Sequence, residues 1–166
     1  TALEPNEYTQ TQAGLTFKHE AGRIAFETGA ALSQFDYDDA ELQDDLFLDQ
    51  DFRDRDEFTG TARVALAFDP SLAVYSQVQY LLADYAPAGF YNPFNRDYDG
   101  VVALVGTDFE FGRRVSGDIA VGYQYYSYDD PSFEEISDVA FAGNLDVMLA
   151  RRTSLSASAE RKVIDP

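Results

Sequence analysis

Residues 117 to 130, GDIAVGYQYYSYDD, place a bulky residue at every second position (Ile119, Val121, Tyr123, Tyr125) and a small or polar one between (Asp118, Ala120, Gly122, Gln124). A period of two is the signature of a β-strand, whose successive side chains point to opposite faces. The same alternation returns seven more times, in sets centred on Leu15, Ile24, Val64, Val74, Val105, Leu145 and Leu155. Eight strands are predicted. Their second faces are not uniformly charged. They mix small residues with Arg63, Tyr75, Gln77, Gln79, Asp108, Glu110, Asp118, Gln124, Asp146 and Glu160, the composition of a wet, crowded interior.

The connections alternate in length. Short turns are read at residues 19–23 (HEAGR), 68–72 (FDPSL), 111–115 (FGRRV) and 150–153 (ARRT). Long acidic and aromatic loops are read at 36–57, 84–100 and 127–138. Charge sorts with them. Six of the twelve Lys and Arg residues flank the short turns (Lys18, Arg23, Arg113, Arg114, Arg151, Arg152), whereas 11 of the 30 acids fall between Asp36 and Glu57. The expected organisation is a single unit, 1–166, of four hairpins with basic turns at one end and acidic loops at the other.

Such a meander closes either as a soluble barrel with its apolar stripes inside or as a membrane barrel with them outside. Strands of roughly 10 to 15 residues are near the length that a tilted strand needs to cross a bilayer, and longer than the usual 5 or 6 of soluble sheets. Aromatics near strand ends (Phe17, Phe35, Tyr37, Phe68, Tyr85, Phe109, Phe111, Tyr125, Tyr128) fit interfacial girdles. The expectation is an all-β, antiparallel, up-and-down transmembrane barrel in a bacterial outer membrane. Lipid and lipopolysaccharide meet its apolar face, and the ten polar residues named above line its lumen. Closure answers the demand that every backbone group in lipid be paired. A soluble barrel holding an apolar ligand would need the stripes reversed.

Composition removes other classes. There is no Cys, so thiol redox chemistry and cysteine-ligated metals are excluded. A net charge of −18 argues against nucleic acid as a partner. No apolar run reaches the length of a spanning helix. Thr1 is preceded by no leader, so an exported form is expected to have lost its signal peptide.

The run from Arg113 to Val163, with FDPSLAVYSQVQY and NRDYDG upstream, resembles the proteobacterial outer-membrane family known as β-barrel porin type 2. The likeness runs from about Arg53 onward and rests on strand and turn patterns: G-Y-x-x-x-x-Y-D-D, the D-P-x-L turn and the final A-E-R. The resemblance implies a porin-like transport role, with several members encoded beside exopolysaccharide export machinery. It carries no catalytic motif. Members are usually longer, so a segment of a larger barrel is expected, with an eight-stranded barrel as the alternative.

No residue pattern points to an enzyme or a cofactor. In the loop from Asp36 to Glu57, an EF-hand alignment places Glu41 where glycine belongs and Phe47 where the bidentate Glu belongs. The loop reads as a solvated coat, with divalent ions bridging it to lipopolysaccharide phosphates. Inward charges form either a selectivity ladder or paired filling. Tyr75, Tyr126 and Tyr128 with Gln77, Gln79 and Gln124 offer stacking faces and amides to a small solute or a polysaccharide, or else fill the interior. His19 lacks catalytic company, and Asp129 and Asp130, adjacent at a strand end, point apart. A structural or adhesive barrel, closed inside and working through its acidic loops, is the alternative to transport.

Overall fold

The computed structural model describes residues 7–41, 47–87 and 94–161. It contains β1 (Tyr8–Ala21), β2 (Ile24–Tyr37), β3 (Ala40–Glu41), β4 (Phe47–Leu48), β5 (Arg55–Asp69), β6 (Leu72–Tyr85), β7 (Tyr98–Phe111), β8 (Val115–Tyr128), β9 (Ile136–Ala150) and β10 (Thr153–Arg161). Apart from β3 and β4, which pair as a small hairpin inside the first long loop, these form one eight-stranded sheet whose spatial order is the chain order. All neighbours are antiparallel. Seven of the eight strands are 14 or 15 residues long. The sheet is an open meander, with β1 and β10 as its edges.

Local chemistry fixes the short turns. Gly22 and Gly112 adopt φ of +64°, a left-handed conformation that costs glycine nothing and other residues strain. At Pro70 the turn is closed by the Asp69 carboxylate, which accepts from the Ser71 amide at 2.7 Å and its hydroxyl at 2.6 Å. All four expected turns fall at one end of the sheet, and the three long loops fall at the other.

The two faces have opposite fates. Leu15, Ile119 and Val121 are 78%, 60% and 59% exposed, whereas Tyr75, Tyr126 and Gln124 on the other face are 5%, 4% and 2% exposed. Among the described residues no second layer covers that face, so the shielding comes from curling. Arg63 of β5 reaches Asp108 of β7 across the intervening β6. The concave side therefore carries the polar set and the convex side the apolar stripes. A soluble barrel with an apolar interior needs the reverse.

Part of the expected aromatic girdle is corrected by register. Phe17, Phe68, Phe109, Phe111 and Tyr125 share the convex face. Phe35 and Tyr37 fall on the concave face, as do Tyr85 and Tyr128, because Phe35 stands opposite Arg55, Arg55 opposite Tyr85, and Tyr98 opposite Tyr128. These rings are held by arginines: Arg53 lies 4.4 Å above Tyr37, and Arg55 lies 4.1 Å above Phe35.

Candidate functional site: the concave face

The ladders place all ten expected lining residues on the concave face. One row across the sheet reads Glu20, Ala25, Ala65, Tyr75, Gly106, Ala120, Ala142, Glu160. The next row toward the long loops holds Lys18, Glu27, Arg63 and Gln77, and the one after it Gln79 and Gln124. Toward the short turns, Asp108 stands opposite Asp118, which stands opposite Asn144. Below them Glu110, Ser116, Asp146 and Ser156 form the last row.

Arg63 organises the middle of the face. Its Nη2 donates to both Asp108 oxygens, at 2.7 and 2.6 Å, and its guanidinium lies 3.6 Å over the Tyr75 ring. Tyr75 stands opposite Gly106, and the lack of a side chain there admits the ring: a Cβ on Gly106 would sit 2.5 Å from Tyr75 Cζ and 2.6 Å from the Ile119 carbonyl oxygen. Tyr126 uses Gly100 in the same way, with 2.5 Å to its Cδ1. Two of the expected stacking tyrosines thus spend one face on glycine. Further down the wall, Asn144 donates to Asp118 at 3.0 Å and Ser156 to Asp146 at 2.5 Å.

Nearer the long loops the face opens into a cleft of about 490 Å³ lined by, among others, Gln77, Gln79, Tyr98, Tyr126, Tyr128 and Glu160. Its floor is apolar, a feature that alternation did not reveal. Val102, Tyr126 and Ala140 form a buried cluster, with Leu81, Leu104 and Ile136 packed against it.

The sequence decides what this curled wall belongs to. A family model described as "Putative beta-barrel porin 2" matches residues 1–165. The chain belongs to this β-barrel porin family. No curated protein and no solved structure matches it.

The remaining expectations concern the porin chain's ends and loops. His19 is exposed on β1 and stacks on Phe17, with ring centroids 6.5 Å apart. Asp129 and Asp130 lie beyond the end of β8, not on it. Asp130 is committed to backbone amides, accepting from Ser132 at 2.8 Å and Asn95 at 3.2 Å. These bonds, led by that from Ser132, hold its carboxyl below the usual range. In the first long loop Asp39, Asp49 and Asp51 bring carboxylate oxygens within 4.8 Å of one another. The Asp49 charge is the main reason that Asp51 is pushed up. Residues 42–46 of that loop lie outside the described residues.

Proposed function

We propose that the chain forms the wall of a bacterial outer-membrane porin, with its convex face in lipid and small polar solutes passing along its concave face. The observation that carries this is the separation of faces over the full strand length. On β6 the convex side is apolar from Leu72 to Leu82 apart from Ser76, roughly 33 Å of strand. At a tilt of about 40° that gives roughly 25 Å of height, the width of a barrel's apolar band. The band ends in charge: Asp56, Asp84 and Asp99 stand on the convex side at the long-loop end. Lipopolysaccharide and its divalent counter-ions are the partners that this acidic rim and the loop above it would meet. In lipid the edges β1 and β10 must be paired, to one another or to further strands. Passage requires the wider closure, since about eight strands enclose only enough space for their own side chains.

The finer form of this reading is an exit for an exopolysaccharide. Its support is the 490 Å³ cleft, where Tyr98 and Tyr128 stand beside the amides of Gln77 and Gln79. The reading is of a conduit, not a catalyst.

Reconstitution in planar bilayers tests it. Stepwise conductance is expected. A folded protein that stays silent, even after deletion of residues 38 to 52, would favour the structural or adhesive barrel, whose surface binding that deletion should abolish.

A further inference from the structure

The charges of the concave wall are lopsided in a way that single residues conceal. Among the described residues, the strand cations that register places on this face are Lys18, Arg55 and Arg63. Each is already spent. Lys18 pairs with Glu27 at 2.9 Å, Arg55 with Glu57 at 2.7 Å, and Arg63 with Asp108 at 2.6 Å. Asp138 is taken by Arg161 at the sheet edge.

Five carboxylates remain on the same face: Glu20, Glu110, Asp118, Asp146 and Glu160. Where the structure gives them partners, these are neutral: Asn144 and the Tyr75 hydroxyl for Asp118, and Ser156 for Asp146. An amide or hydroxyl donor orients a carboxylate and leaves its charge in place. Three of the five are neighbours. Glu110 and Asp146 flank Ser116 on adjoining strands, and Asp118 is two residues along from Ser116 on the same face, so they lie within roughly 10 Å of one another.

Other cations lie near but beyond the strands. At the short-turn end Arg113 and Arg114 line a pocket with Glu110 and Asp146, and Arg151 and Arg152 are exposed in the last turn. Salt screens these cations and the exposed carboxylates alike over about 8 Å, and on the strands the carboxylates outnumber the cations. At the opposite mouth Arg53 and Arg96 lie over the rings of Tyr37 and Tyr85. The stretch from Asp36 to Glu57, to which Arg53 belongs, holds 11 acids. The field along the wall is set by the carboxylates.

We infer that the conduit selects for cations: small inorganic or amine-bearing solutes pass in preference to anions of the same size. The inference rests on the pore reading above and adds the class of solute. A wall carrying net negative charge beside a low-dielectric barrier concentrates counter-ions and depletes co-ions.

The test is a reversal potential for the full protein in a planar bilayer under a KCl gradient at low salt. A K⁺ to Cl⁻ permeability ratio on the order of tenfold is expected, the lower range of counter-ion enrichment in a charged cleft. The ratio should fall when Asp118→Asn and Asp146→Asn are combined, and should rise in Arg63→Gln, which frees Asp108. Circular dichroism and migration of unheated samples on gels would show that each variant folds. Conductance with a ratio near or below one, or one that Arg63→Gln lowers, overturns the inference and leaves the pore standing. Absence of conductance overturns both.

Discussion

The Arg63–Asp108 pair can be weighed before it is measured. The two side chains are 28% and 42% exposed, so the Coulomb attraction is partly screened. Pairs of this kind contribute roughly 0.2–1 kcal/mol. Two short bonds to one carboxylate place this pair near the upper limit. The guanidinium over Tyr75 adds about 0.5–1 kcal/mol. Arg63→Gln should therefore cost about 1.5–2 kcal/mol in total. In a double-mutant cycle with Asp108→Asn, the coupling isolates the pair alone at about 1 kcal/mol. The chain has no Trp, so urea titrations of protein in lipid vesicles, followed by far-ultraviolet circular dichroism, would supply the four free energies. The sign is informative as well. An Arg on the lipid face at mid-depth costs about 2–4 kcal/mol, so removing it would stabilise the barrel. Stabilisation by Arg63→Gln, or a coupling within about 0.3 kcal/mol of zero, refutes the placement of Arg63 on the polar wall.

Other outcomes follow from the same structure. Gly106→Ala should destabilise by about 1–3 kcal/mol. Tyr75→Ala should rescue it only in part, because the Ile119 carbonyl would also lie 2.6 Å from the new Cβ. The three atoms nearest a Cβ on Gly100 all belong to the Tyr126 ring, so in Gly100→Ala the further change Tyr126→Ala should relieve most of the strain in the same urea assay. Val121→Arg should cost about 2–4 kcal/mol and Gln79→Arg less than half of that, because in the proposed barrel the convex face meets lipid and the concave face the lumen. Asp130 is held below the usual carboxyl range, chiefly by the Ser132 amide. Its contribution is present above the unfolded-state value of about 3.9 and fades as pH falls through its lower folded value. Asp130→Asn should flatten the acid limb of the stability profile. Asp51 is raised, mainly by Asp49, and has the opposite sign: Asp51→Asn should gain stability at neutral pH relative to pH 3.

Strands, turns and faces were legible because alternation is a direct print of a wall between two solvents. Ile119, Val121 and Tyr123 announced one side, and Asp118, Gly122 and Gln124 the other. Where both sides are apolar the print blurs. Residues 101–105, VVALV, gave no sign that Val102 and Leu104 turn inward to floor the cleft with Leu81. Strand ends were ambiguous for a related reason. An aromatic there suits either an interface or a lumen mouth, and only the register sent Tyr85 and Tyr128 inward. The pairing of Arg63 with Asp108 was hidden altogether. The two residues lie 45 positions apart on non-adjacent strands, and they meet only because the sheet curls. Loop composition identified the acidic coat without showing that Asp39, Asp49 and Asp51 converge.

The central claim is that the exposed convex stripes meet lipid. With no native Trp, a single Trp placed at Val121 or Leu145, and in separate variants at Gln79 or Asn144, reports its own surroundings in vesicles of brominated lipid. Strong quenching at Val121 and Leu145 with little at Gln79 and Asn144 is the predicted result. Strong quenching at Gln79 and Asn144, with Val121 and Leu145 shielded, would contradict it.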